Sequence, residues 1–74
     1  MKIDKLVRMV NQIAEFFVHE GPVKAAASTA DHLKKFWDPS MRGQIIAAVA
    51  AGSATGLEPT ALAAVKQLPA PAAN

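Results

Sequence analysis

"LVRMVNQIAEFFVHEGPV", Leu6 to Val23, contains a helix, its stop and the start of a second helix. Leu6, Met9, Val10, Ile13, Phe16 and Phe17 recur at the three- and four-residue spacing that an α-helix, turning 100° per residue, gathers on one side. Val7, Ala14 and Val18 widen that side on one flank to an arc of about 200°, broader than the stripe of an ordinary surface helix. A single neighbouring helix cannot cover so wide an arc. "HEGPV" then breaks the pattern: Gly21 supplies a left-handed cap position, and Pro22, which lacks an amide hydrogen, suits the first turn of the next helix. With Asp4 as N-cap, the first helix is predicted to run to about His19, where Glu15 and His19 stand one turn apart and can pair.

Working outward, the second helix is predicted from Pro22 to about Trp37, with Val23, Ala26, Ala27, Ala30, Leu33 and Trp37 on one side. Its first half offers only small side chains, so another helix can approach closely. In "KFWDPSMR", Lys35 to Arg42, Asp38 precedes a proline and leaves helical geometry, yet it can cap a third helix that Pro39 begins. Trp37 is assigned to the core at this elbow, whereas Phe36 points away from the stripe, toward Thr29 and His32. The third helix, about Pro39 to Ala51, lines up Met41, Ile45, Ala48 and Val49 and ends at Gly52. After a flexible "GSATG", Leu57, Glu58 and Pro59 start a short helix reaching Leu68, with Leu57 able to pack on Leu62. The fold class is all-α: a small bundle of three principal helices plus a short C-terminal helix, one domain over residues 1–68, with a flexible tail over 69–74.

Composition bounds what such a domain can do. Of 74 residues, 38 are hydrophobic but 16 of these are alanine, so only a small core is available to a short chain. There is no cysteine, and the two histidines, His19 and His32, have no zinc-site spacing. Charges at Lys2, Asp4, Lys5 and Arg8 interrupt any apolar signal-peptide stretch, and Ile45 to Ala51 is shorter than the roughly 20 apolar residues of a membrane span. The expected location is the cytoplasm, with no membrane partner. A net charge of +2, from eight basic and six acidic residues mixed along the chain, gives no argument for nucleic acid.

Convergent chemistry is scarce. Asp31 and His32 are adjacent, so on a helix they diverge and cannot act as a hydrogen-bonded pair. No Gly-rich phosphate loop or nucleophile triad is present. The chain is therefore not expected to be an enzyme, and no catalytic, cofactor-binding or metal-ligating residue is assigned. Two helices joined at the Asp38 elbow also fit a helix-turn-helix DNA-binding or regulatory module, the alternative reading. Its third helix, however, offers only Ser40, Arg42 and Gln44 to base edges. The better candidate is a protein-binding patch with Phe36 at its centre, beside His32 and framed by Lys35 and Arg42. The outer flank of helix one, at Val7, Asn11, Ala14 and Val18, is the second candidate. Asn11 and Gln12 beside the apolar face are either solvated or fix the register of a partner.

"LVRMVNQIAEFF" (Leu6 to Phe17) followed by "ADHLKKFWDPSMR" (Ala30 to Arg42) and an alanine-rich helix resembles the delta subunit of the cytoplasmic NAD-dependent formate dehydrogenases. The likeness covers about Ile3 to Leu68. Where that family usually has an arginine after the Asp-Pro step this chain has Ser40, and where it commonly has a small residue before the Asn-Gln pair it has Val10; Arg42 is retained. The resemblance implies a non-catalytic accessory subunit that stabilises a soluble complex or assists cofactor insertion and maturation. In such a complex the alpha subunit carries a molybdenum or tungsten pterin and iron-sulfur clusters, and beta and gamma subunits pass electrons through FMN to NAD. None of these groups is expected in this chain. Self-association of the isolated chain is left open.

Overall fold

The computed structural model describes residues 2–69, and these form four α-helices and one short 3-10 turn, with no strand among the described residues. α1 spans Ile3–Phe16, the 3-10 turn Val18–Glu20, α2 Pro22–Phe36, α3 Pro39–Ala50 and α4 Pro59–Lys66. The all-helical expectation is met. The expected tail at 69–74 lies, from residue 70 onward, outside the described residues.

Both ends of the first helix differ from expectation. Lys2, in extended backbone, is the N-cap and supplies no side-chain bond, while Asp4 sits inside the first turn. The Lys2 carbonyl already accepts from the Leu6 N–H at 3.2 Å, which starts the helix two residues early. At the other end Phe17 donates to the Ala14 carbonyl at 3.1 Å, one residue closer than an α-helical bond. That tightening satisfies helix-end carbonyls but turns the chain off the helix axis. His19 therefore falls in the 3-10 turn, and the expected Glu15–His19 pair does not form. Glu20 instead accepts from the Ser28 hydroxyl at 2.6 Å, bracing the turn against α2.

Gly21 joins the turn to α2 at φ 89° and ψ 158°. This is the mirror image of extended backbone rather than the left-handed helical cap expected, and it is accessible essentially to glycine alone. Pro22 opens α2 as expected. The buried face of α2 is Ala25, Ala26, Thr29, Ala30 and Leu33, so the expected stripe is rotated: Val23 and Ala27 are exposed, and Ala25 and Thr29 are inside. Thr29 is tolerated there because its hydroxyl donates to the Ala25 carbonyl at 2.7 Å.

The elbow forms as read. Asp38 accepts from the Met41 N–H at 2.8 Å and Pro39 is the first residue of α3. Ile45 and Ala48 are buried, with Met41 and Val49 partly so. α3 closes in a Schellman motif, Gly52 N–H to Val49 O at 3.1 Å and Ser53 N–H to Ala48 O at 2.9 Å, with Gly52 at φ 75°. α4 is short but central: its most extensive contact is with α2, it also meets α1 and α3, and its Ala61, Ala64 and Val65 are buried. α1 touches the other three helices. Leu6, Val10, Leu33, Trp37, Ile45, Val65 and Leu68 supply the larger side chains of the core.

Candidate functional site

The arc on α1 is divided between core and surface, and the division departs from expectation at Val7 and Ala14, which are inside, and at Phe16, which is outside. Leu6, Val7, Val10 and Ala14 are buried, Met9 and Ile13 are half-buried, and Phe16 is 74 % exposed. Val7 and Ala14 of the expected outer flank are buried instead, in a helix that contacts all three others, while Val18 of that flank stays exposed. The residues left outward line a groove of about 340 Å³, formed by Met9, Gln12, Ile13, Phe16, Phe17 and His32.

Four rings run from this groove onto α2. Phe16 and Phe17 meet edge to face with centroids 5.2 Å apart. Phe17 lies 6.5 Å from the His32 imidazole, which stacks obliquely on Phe36 at 4.7 Å. Phe36 is itself 73 % exposed, so half of the assembly is uncovered. The turn at Val18–Glu20 makes this possible by reversing the chain and bringing His32, on α2, beside Phe17. Exposed apolar surface on so small a body marks an interaction site more often than a catalytic one.

The individual candidates divide into those on this face and those held within the chain. Phe36 and His32 belong to the face. Lys35 lies on its rim, pairing with Asp31 at 3.0 Å in an exposed arrangement that contributes little stability. Arg42 is half-buried and directed backward: its guanidinium donates to the Trp37 carbonyl and, at 3.3 Å, to the Lys34 carbonyl. It therefore caps the C-terminal end of α2, where a cation also meets the negative end of the helix dipole.

On the opposite side of α1, Val7 is a core residue. Asn11 is partly exposed, but both ends of its side-chain amide are engaged within the chain. Its Nδ2 donates to the Gly56 carbonyl at 2.9 Å, and its Oδ1 accepts from the Glu58 N–H at 2.9 Å. The segment expected to be flexible is thus fastened to α1 just before α4 begins. Val18 is 62 % exposed in the 3-10 turn and does not line the groove.

Met9, Ile13, Phe16 and Phe17 are the face residues that the periodicity assigns to the core, and Gln12, read beside the apolar face as solvated or partner-facing, lines the groove with them. The excess width of the apolar arc announced uncovered residues; only the arrival of the other helices determines which. Among the described residues no three His, Asp or Glu side chains group together. Gln44 donates to Ser40 at 3.3 Å, so with Arg42 turned inward the three side chains a DNA-reading helix would need are engaged within the chain. No helix among the described residues is long and apolar enough to cross a membrane.

Among protein families, the one described as NADH-dependent formate dehydrogenase delta subunit FdsD matches over residues 5–65. That span includes both Leu6 to Phe17 and Ala30 to Arg42. No curated protein and no solved structure matches the chain.

Proposed function

Because the chain belongs to the family of NADH-dependent formate dehydrogenase delta subunits, we propose that it is a non-catalytic accessory subunit that docks on a larger subunit of that enzyme through its aromatic face. The observation that carries this reading is the exposed row Phe16, Phe17, His32 and Phe36 around an apolar groove. Large rings with two rotatable bonds gain contact area at small entropic cost, and such residues recur as anchors at the centre of interfaces. Gln12, Asp31 and Lys35 supply the polar rim that surrounds an apolar centre.

In this reading formate oxidation and the groups that serve it, molybdenum or tungsten pterin, iron-sulfur clusters, FMN and NAD, belong to the alpha, beta and gamma subunits. The delta chain contributes by stabilising the assembly or by holding a subunit receptive while its cofactor is inserted. A site made of rings and a rim suits holding rather than chemistry. The test is co-expression with the large subunits and capture through a tag on one of them. Phe16→Ala and Phe36→Ala are each expected to lower recovery of this chain at least about tenfold. Full recovery of both variants would remove the face from the interface.

A further inference from the structure

The charges on α1 run against the helix's own dipole. Lys2, Lys5 and Arg8 stand at its N-terminal end, where Asp4 alone is acidic; Glu15 lies in the last turn, Glu20 follows it, and no basic residue occupies that last turn. An isolated helix gains from the opposite arrangement, acids at the start and bases at the end. All six side chains are exposed, and among the described residues none of them is in an ion pair. Their placement does not serve the helix by itself.

Between the two charged ends lie Met9, Gln12, Ile13 and Phe16, at positions that share the outward side of the helix and lead into the groove. An antiparallel copy laid on this side would set Arg8 of each chain against Glu15 of the other, twice by symmetry, with Lys5 at the same end, and would oppose the two helix dipoles. A parallel copy would set like charge on like. The pattern is self-complementary in one orientation only.

We propose that the free chain pairs with a second copy of itself, α1 against α1 in antiparallel orientation about a two-fold axis near Gln12. The Phe16 ring of each chain enters the groove of the other on its Met9 side. The pairing stands independently of the subunit reading, except that it covers the groove assigned above to a larger subunit, so the two occupants exclude each other.

Sedimentation of the purified full chain over a wide concentration range, at low and high salt, tests this. The apparent mass is expected to rise from 7.8 kDa to twice that value, and the transition to move to higher concentration as salt screens the ends. Arg8→Glu and Glu15→Arg should each weaken pairing about tenfold or more. An equimolar mixture of the two variants should restore it, because each then presents what the other lacks, and Phe16→Ala should weaken it without affecting the helical circular dichroism signal. A chain that stays monomeric throughout overturns the proposal. So does a dimer that ignores the charge reversals, or one that the mixture fails to restore. Co-purification with the large subunits is measured separately, so loss of either reading leaves the other standing.

Discussion

Phe36 and Trp37 are consecutive at the end of α2, yet Trp37 is 6 % exposed within the core while Phe36 lies on the His32 ring at the surface. The separation arises in the backbone. Phe36 is the last helical residue, Trp37 turns to φ −90° and ψ 139°, and Asp38 after it is extended at φ −73° and ψ 163°, as the residue before a proline must be. The elbow thereby sends one large ring inward and holds the other out.

Trp37→Ala is expected to cost about 3–5 kcal/mol, enough to leave a domain of this size mostly unfolded. Phe36→Ala should change stability by no more than about 0.5 kcal/mol, since the ring is already in water. Thermal melts of the two variants check this directly. Similar losses for both would mean that Phe36 is part of the core in solution.

Asn11→Ala removes both bonds that fasten the Gly56–Glu58 segment, and a loss of about 1–2 kcal/mol is expected. Asn11→Asp keeps the acceptor for the Glu58 N–H but loses the donor to Gly56 and adds a second negative charge near Glu58. It should not recover the wild-type melting temperature. Hydrogen exchange at the Glu58 amide is the local readout, and it should accelerate in Asn11→Ala while the amides of α2 change less.

Arg42→Ala should destabilise the chain by about 1–2 kcal/mol, because two carbonyls at the end of α2 lose a charged donor. Arg42→Lys should recover part of that loss, as a single ammonium can reach one carbonyl but not fork between two. Chemical denaturation of the three proteins gives the ranking. If Arg42→Ala melted like wild type but lost partner binding, the residue would belong to the interface after all.

Gly21→Ala meets no steric neighbour, yet its φ of 89° is costly for any residue with a β-carbon. The expected loss is about 1–3 kcal/mol despite the open space around it. A neutral result in a urea titration would show that the turn between α1 and α2 can adopt a second backbone path.

Helix existence and the elbow were legible because capping and proline chemistry are local: Asp38, Pro39 and Met41 lie within four residues of one another. The inner face of α2 was not. Ala25, Ala26 and Ala27 are consecutive and nearly equal in apolar area, so periodicity alone does not choose between a stripe through Val23 and Ala27 and one through Ala25 and Thr29. The arc on α1 showed that something must remain uncovered. Its covered side depends on where α3 and α4 return, which no spacing within α1 records. The Asn11 bonds reach 45 and 47 residues along the chain, beyond any local pattern.

The buried residues of α2 and α4, the two helices in most extensive contact, are mostly alanine: Ala25, Ala26 and Ala30 on one, Ala61 and Ala64 on the other. Alanine has no side-chain rotamers to lose, so burying these five residues costs backbone entropy alone. The same methyl groups withdraw little apolar area from water, and the heat-capacity change on unfolding scales with that area. Calorimetry should therefore give a value below about 12 cal/mol/K per residue, the lower end for globular domains. A stability curve with so little curvature is low but broad, and the fold would lose little on cooling.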